Sequence, residues 1–171
     1  MEQQELNAFT IENELQWLKQ IIDYRFDAYF SRETTVNSIY EIIPPELSSD
    51  NSMYASLCKK FDLDLSARLV LILALTPHVR PQLLDPFFVK NSDFNRGFTE
   101  FGGIKGDNHG GFIPTGETAA FLYAGLDMQM RMKIIRTFDS THFFHKEKIL
   151  FLNATKENEP FLSGAIGLSN D

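Results

Sequence analysis

The segment Gly111–Thr118 carries the pattern closest to a nucleotide-binding motif. Its letters, GFIPTGET, follow the G-x-x-x-x-G-K-T spacing of a phosphate-binding loop, with Glu117 where that motif has lysine. A lysine at this position neutralises the β- and γ-phosphates of a nucleotide, whereas a glutamate repels them. Pro114 also removes one backbone N–H donor from the loop. The pattern therefore favours a capped helix start, with Thr115 as the N-cap, over a nucleotide site.

A metal site would need ligands that the sequence does not supply at a recognisable spacing. His142 and His145 lie three residues apart with Asp139 close to them, but Cys58, the single cysteine, is remote in the chain. Zinc sites use three or four such ligands. We therefore expect no metal and no cofactor, and we expect the histidines to be ordinary surface or core side chains. Cys58 is expected to be a buried and inert thiol.

His109, Asp107 and Glu100 could form an acid–base cluster, because an imidazole and two carboxylates can move protons to and from a substrate. No serine or cysteine stands beside them in a turn of the kind that presents a nucleophile. The pattern therefore favours a structural or binding loop, and the sequence predicts no catalytic residue. We expect that this chain is not an enzyme.

A group of basic side chains could contact DNA phosphates from a recognition helix. Lys133 and Arg136 lie on one predicted helix, and Arg131, Lys146 and Lys148 are nearby. Acidic residues dilute this group: Asp127, Asp139 and Glu147. The net charge of −7 also opposes general binding to nucleic acids or anionic membranes. A solvated or protein-facing surface is therefore favoured over a DNA-binding one.

The glycine-rich stretch Phe94–Gly125 is the least ordinary part of the chain, because it holds eight of the ten glycines. Glycine allows positive φ angles and close backbone approach, so the backbone here follows a special path. Aromatic residues alternate with glycines and should anchor the loop in the core: Phe98, Phe101 and Phe112. Polar residues are gathered at one point, Lys105–His109, which we call the loop tip and expect to be exposed.

Hydrophobic periodicity and capping residues predict a mainly α fold with a small β-hairpin. The predicted helices are residues 11–30 with Thr10 as N-cap, Met53–Phe61, Leu65–Leu75, Thr115–Ala124 and Met128–Phe138. The predicted hairpin is Ile149–Leu168. Pro77 is expected to end the apolar helix Leu65–Leu75. A buried strand is the alternative for Leu65–Leu75, but its length favours a helix. On the last helix, Met128, Met132, Ile135 and Phe138 form an apolar stripe, and Gln129, Lys133 and Arg136 form a polar, basic one.

The order of these elements suggests a helical part over residues 1–90, followed by a winged-helix-like module over residues 91–171. The module would contain the glycine-rich loop, two helices and the C-terminal hairpin, and one compact domain is the alternative. The 171 residues fit either arrangement, with 43% hydrophobic and 23% charged residues. The N-terminus lacks signal-peptide features, and the longest apolar run, Leu69–Leu75, is too short for a membrane span, so a cytoplasmic location is expected.

Several strings of the sequence together resemble the N-terminal region of AAA-type ATPases associated with bacterial contractile injection systems. They are LVLILALTPH (69–78), LLDP (83–86), FTEFGG (98–103), GGFIPTGET (110–118) and FLSGAIGLS (161–169). The resemblance covers roughly residues 10–170 and implies a helical, winged-helix-like front part of an ATPase. The chain departs from the ATPase module itself, since it has no intact Walker A motif, no Walker B aspartate after a strand and no arginine finger.

Such N-terminal parts recruit substrates or adaptors, so the resemblance implies a non-catalytic domain that recognises a protein partner. The alternative is a winged-helix DNA-binding regulatory domain, which makes nucleic acid the less favoured partner. No membrane partner is expected, and no feature selects an oligomeric state. The candidate partner-binding residues are Lys105, Asp107, Asn108, His109, Gln129, Lys133 and Arg136.

Overall fold

The protein, seen in a computed structural model that describes residues 1–170, is mainly helical, as the sequence predicts. Its contacts group the chain into two compact units, Met1–Ile72 and a second unit that begins at Leu73. The division falls inside a helix, α3 (Leu65–Val79).

The first unit begins with the long helix α1 (Gln3–Tyr29), which starts well before the predicted residue 11. Glu2 lies at the N-cap position, and its amide donates to the carboxylate of Glu5 at 3.3 Å. The prediction that Thr10 is the N-cap is therefore wrong. Thr10 is buried within the helix, where its hydroxyl donates to the carbonyl of Leu6 and to the carboxylate of Asp50.

Two further helices of the first unit agree with the sequence. Helix α2 (Met53–Lys60) begins after Ser52, whose hydroxyl accepts the amide of Ala55 at 3.1 Å. Helix α3 confirms the helical prediction for Leu65–Leu75, but it continues through Pro77 to Val79. Although α3 is strongly apolar, no helix among residues 1–170 has the length and apolar content that a membrane span requires. The core of this unit includes Leu15, Leu18, Ile21, Ile22, Ile39, Ala55 and Leu69.

The second unit opens with short elements that the sequence did not fully reveal. A 3₁₀ helix spans Pro81–Phe88, with Pro86 inside it. A small antiparallel hairpin follows, made of β1 (Lys90–Asn91) and β2 (Arg96–Gly97). A second 3₁₀ turn covers Thr99–Phe101.

Two helices follow the glycine-rich loop, as predicted. Helix α4 (Gly116–Ala124) begins after Thr115, and helix α5 (Met128–Thr137) begins after Asp127, whose carboxylate accepts the amide of Met130 at 3.0 Å. A four-residue helix that was not predicted, α6 (Phe143–Lys146), comes next.

The predicted C-terminal hairpin is present. Strand β3 (Leu150–Leu152) pairs antiparallel with β4 (Ile166–Leu168), and the register places Leu150 opposite Leu168. The connection between them contains a 3₁₀ turn at Phe161–Ser163. A mainly helical fold with a small β-hairpin is thus confirmed, with the β1–β2 hairpin as an addition.

An aromatic cluster forms the core around the glycine-rich loop. Phe87 stacks on Phe112 with ring centroids 4.9 Å apart, and Phe101 lies 4.8 Å from Phe121. Phe101 and Phe112 are buried, which confirms that they anchor the loop. Phe98 is half-buried at 5.0 Å from Phe101, so it covers the cluster from outside.

Candidate functional site

Two threonines tie the glycine-rich loop to the start of α4. The hydroxyl of Thr115 accepts the amide of Gly103 at 3.1 Å. The hydroxyl of Thr118 accepts the amide of Thr115 at 3.0 Å and donates to the carbonyl of Phe101 at 2.8 Å. The capped helix start predicted for Gly111–Thr118 is confirmed, and both hydroxyls are used to position the loop.

Glu117, which stands at the lysine position of the motif, forms a two-pronged ion pair with Arg131. The two nitrogen–oxygen distances are 2.9 and 2.7 Å, and the pair joins α4 to α5. Hydrogen bonding to Glu117 raises the pKa of the Arg131 guanidinium. Because Arg131 is committed to this pair, it is not freely presented to a nucleic-acid phosphate.

Two glycines of the loop adopt backbone angles that favour glycine. Gly102 has φ +61° and Gly103 has φ +90°. A Cβ on Gly103 would overlap the ring of Phe112, and one on Gly102 would overlap the hydroxyl of Thr115. At these two positions the loop backbone therefore lies so close to the aromatic core and to α4 that there is no room for a side chain.

A cavity of about 410 Å³, which we call the loop cavity, lies beside this close approach. Its apolar wall consists of Phe87, Phe88, Ile104 and Phe112, and five glycines also line it. Its polar lining consists of Lys90, Lys105 and His109. None of the described residues that line it carries a carboxylate, although the chain as a whole has 23 acidic and 16 basic residues.

The loop tip is exposed in part. Lys105, Asp107 and Asn108 are exposed, as predicted, but the prediction is wrong for His109, which is half-buried. The His109 Nε2 atom is buried and has no hydrogen-bond partner in the structure. It lies against Gly111, where a Cβ would come within 2.6 Å of it. His109 therefore belongs to the wall of the loop cavity.

The residues considered for an acid–base cluster, Glu100, Asp107 and His109, do not line one cavity together. His109 lines the loop cavity, whereas Glu100 and Asp107 are not among its lining residues. The histidines at the end of the chain have other surroundings: His142 Nδ1 accepts the amide of Phe144 at the start of α6, and His145 is exposed. Within residues 1–170, no group of three or more His, Cys, Asp or Glu side chains could hold a metal ion.

The apolar stripe on α5 is split between core and solvent. Phe138 is buried and Ile135 is half-buried, but Met128 is 64% exposed and Met132 is 50% exposed. An apolar stripe on an amphipathic helix normally faces a core. On α5, much of it is instead available to a partner.

A groove of about 670 Å³ continues the apolar stripe of α5. Ile135 lines it from α5 and Phe138 from the residue that follows α5, while Phe151 and Phe161 line it from the C-terminal hairpin region. Phe151 is 40% exposed and Phe161 is 52% exposed. The polar groups of the groove are Asp139, Ser140 and His145.

The seven predicted partner-binding residues fall into two separate sets. Gln129, Lys133 and Arg136 are exposed on α5, and the Lys133 ammonium lies 5.9 Å from the centre of the Tyr123 ring. The other four residues belong to the loop tip, and the loop cavity shares no lining residue with the groove beside α5.

No protein-family model, curated protein or solved structure matches this chain. The features of the chain that bear on its function are therefore these two surfaces.

The first unit contains a buried ion pair that the sequence pattern did not reveal. Glu14 is fully buried on α1, where Arg68 donates to its carboxylate at 3.0 Å and Tyr54 donates at 2.9 Å. The Arg68 guanidinium also lies 5.6 Å from the centre of the Trp17 ring and donates to the carbonyl of Pro45. The signal in the sequence is the position of Glu14 next to Leu15 and four residues before Leu18, on the apolar side of the helix.

Cys58 lies close to this network. The thiol is buried, as predicted, and burial, together with the charge of Glu14, raises its pKa to about 11. A thiol with that pKa stays protonated at neutral pH and reacts slowly. We therefore assign Cys58 and the neighbouring Glu14 network a structural role in the first unit.

Proposed function

We propose that the second unit is a non-catalytic protein-recognition module. The surface that would bind the partner, here called the α5 surface, consists of Met128, Met132, Ile135, Phe151 and Phe161. Its support is a single observation: the two methionines of the apolar stripe of α5 are exposed, and the stripe continues into a groove. Contiguous exposed apolar surface of this kind marks protein-interaction sites.

The residue types of the α5 surface suit this role. Methionine and phenylalanine are enriched at the centres of protein interfaces, and the flexible methionine side chain adapts to different partners. Burying each such side chain contributes about 1.5–3 kcal/mol. Met128, Met132 and Phe161 are 64%, 50% and 52% exposed, so covering all three contributes about 2–5 kcal/mol. A micromolar complex needs about 8 kcal/mol, and the remainder must come from other contacts.

The charges beside this surface favour a partner with acidic residues at its margin. Gln129, Lys133 and Arg136 form the exposed polar side of α5, next to the apolar side chains. Exposed charges at the edge of an interface mainly raise the association rate and select the partner. The partner we propose is an amphipathic protein segment whose apolar side chains enter the groove and whose carboxylates face Lys133 and Arg136.

The resemblance to the front part of AAA-type ATPases gives this module a setting. We propose that the chain is the cytoplasmic N-terminal part of such an ATPase and that the partner is its substrate or adaptor. The order α4, α5 and C-terminal hairpin supports a winged-helix-like second unit, with α6 inserted before the hairpin.

The alternative is a winged-helix domain that binds DNA through α5. It has less support, because Arg131 is held by Glu117 and because Met128 and Met132 are exposed on the same helix as Lys133 and Arg136. A surface with exposed apolar side chains of this size suits a protein partner better than a phosphate backbone.

Peptide selection followed by affinity measurement tests the protein-recognition proposal. Peptides selected on the immobilised chain from a random library should bind in the micromolar range. Met132→Ser and Phe161→Ser should each weaken that binding about tenfold or more, since each removes an apolar contact at the centre of the surface. Both variants should keep the melting temperature, because the two side chains are half exposed or more.

Met53→Ser is the matched control. Met53 is also an exposed methionine in a helix, 63% accessible, but it belongs to the first unit. Its replacement should leave peptide affinity unchanged. Selected peptides that bind Met132→Ser and Phe161→Ser as tightly as the original chain would contradict the assignment of the α5 surface.

A further inference from the structure

We propose that the loop cavity is a second binding site, which takes an organic acid: one carboxylate attached to an apolar, preferably aromatic, body. This inference does not rest on the proposed protein-recognition function, since the loop cavity and the groove of the α5 surface share no lining residue. The apolar body would pack against the aromatic wall, and the carboxylate would face Lys90 and Lys105.

The charges of the cavity select an anion. Every charged side chain that lines it is a lysine, in a chain whose net charge is −7. Within the described residues, neither Lys90 nor Lys105 has an ion-pair partner. Two unpaired ammonium groups beside an apolar wall bind a carboxylate through charge-assisted hydrogen bonds, which are stronger than neutral ones.

The apolar wall selects the body of the ligand. Phe87 and Phe112 are buried and stacked, and Phe88 meets Phe112 edge to face at 5.7 Å while staying half exposed. Ile104 is also exposed in part, at the mouth of the cavity. An aromatic ring can join this cluster in the offset or edge-on geometries that aromatic pairs prefer. A purely inorganic anion would leave the wall uncovered.

His109 supplies the independent observation that points to a ligand. Its Nε2 atom is buried without a hydrogen-bond partner, and an unsatisfied buried polar atom is destabilising. The backbone amides of Gly110 and Gly111 also have no acceptor within the described residues. A carboxylate at the mouth of the cavity would accept hydrogen bonds from these amides, and from His109 in the tautomer that carries the proton on Nε2.

The size of the cavity limits the ligand. About 410 Å³ lies within the range of ordinary small-molecule sites, about 300–1,000 Å³. A free arylalkanoate and the C-terminal residue of a peptide share the required chemistry. A bare arylalkanoate of this size should bind with a Kd on the order of 1 mM, given typical ligand efficiencies.

Titration of the ¹⁵N-labelled chain with 3-phenylpropionate, followed by NMR, tests the site. The amide signals of Gly103, Gly110 and Gly111 should shift, while those of α5 should not. The matched probe 3-phenylpropanamide, which has the same body without the charge, should bind about tenfold more weakly. N-acetyl-glycyl-phenylalanine distinguishes the sources: tighter binding than 3-phenylpropionate assigns a peptide C-terminus, and weaker binding assigns a free acid.

Lys105→Gln and Lys90→Gln should each weaken 3-phenylpropionate binding about threefold to tenfold, because each removes one of the two charges that hold the carboxylate. Lys156→Gln, at an exposed lysine that does not line the cavity, is the control and should change nothing. All three lysines are exposed, so the variants should fold normally. Equal affinities for the acid and the amide, equal effects of Lys105→Gln and Lys156→Gln, or no shift of the glycine amides with any probe would each overturn the proposal.

Discussion

At the residue scale, the buried Glu14–Arg68 pair makes the first unit sensitive to the loss of one partner. Arg68→Met leaves the Glu14 carboxylate buried without its counter-charge, and we expect a loss of about 3–5 kcal/mol in the free energy of unfolding. The change can be followed by urea titration with the fluorescence of Trp17, the single tryptophan, which lies beside Arg68.

The partly exposed pair Glu117–Arg131 is the natural control for that variant. Arg131 and Glu117 keep 34% and 24% of their side-chain surface, so Arg131→Met should cost less than about 1 kcal/mol. Glu14→Met combined with Arg68→Met should recover part of the loss, because it removes both buried charges. Similar costs for Arg68→Met and Arg131→Met would show that burial does not set the energy of these pairs.

The same network gives the first unit a dependence on alkaline pH. Burial and the charge of Glu14 raise the pKa of Cys58 to about 11 and also raise the pKa of Tyr54. In the unfolded chain these groups ionise near pH 8.5 and 10. The folded state keeps both groups neutral up to a higher pH than the unfolded state does. Their contribution to the free energy of unfolding is therefore fully present below about pH 8.5 and falls as the pH rises towards 11.

Melting temperatures measured from pH 8 to 10.5 check this expectation. Cys58→Ala should lose less stability than the original chain between pH 8.5 and 10, and both should fall more steeply above pH 10, where Tyr54 contributes. Identical pH profiles for the two proteins would show that the Cys58 thiol is not responsible for the first part of the decline.

At the element scale, the glycine-rich loop can be tested at two of its own glycines. Gly103→Ala would place a Cβ at φ +90° against the ring of Phe112, which is buried in the aromatic cluster. We expect a cost of about 2–4 kcal/mol from backbone strain and overpacking. Gly110→Ala is the control, because nothing lies within 4 Å of its added Cβ, and it should range from no change to a gain of about 1 kcal/mol. Thermal unfolding followed by circular dichroism measures both, and equal effects would mean that the loop does not depend on the close approach.

How far the sequence predicts these elements depends on local signals. Ser52, Thr115 and Asp127 are strong capping residues, and each helix they precede begins where predicted. The start of α1 is harder to predict, because threonine is a more common N-cap residue than glutamate. Thr10 is therefore a stronger signal in the sequence than the capping pair of Glu2 and Glu5 that the structure uses. The two-residue strands β1 and β2 and the four-residue helix α6 are too short to show periodicity, so the sequence did not reveal them.

At the scale of the whole molecule, periodicity predicts which side of a helix is apolar but not whether another element covers it. The stripe of Met128, Met132, Ile135 and Phe138 was recognisable from spacing, whereas the exposure of its methionines was not. Likewise, Phe101 and Phe112 were predictable as anchors, but the cavity beside them depends on how two neighbouring segments, Phe87–Lys90 and Gly102–Phe112, fold against each other. The candidate sites therefore depend on tertiary packing that periodicity does not encode.

The overall charge favours protein over DNA as the partner proposed for α5. A chain with net charge −7 repels DNA, and a favourable contact must come from Lys133 and Arg136 against that repulsion. We therefore expect the Kd for a 20-base-pair duplex of random sequence to be weaker than about 100 μM at 200 mM salt, as for non-specific binders or weaker. Fluorescence anisotropy at 50 and 200 mM salt measures it, with the double variant Lys133→Gln and Arg136→Gln as control. Micromolar binding at 50 mM salt that falls steeply at 200 mM and disappears in the double variant would favour the DNA-binding alternative. Equal, weak binding by both proteins would leave the exposed methionines of α5 as the feature that calls for a protein partner.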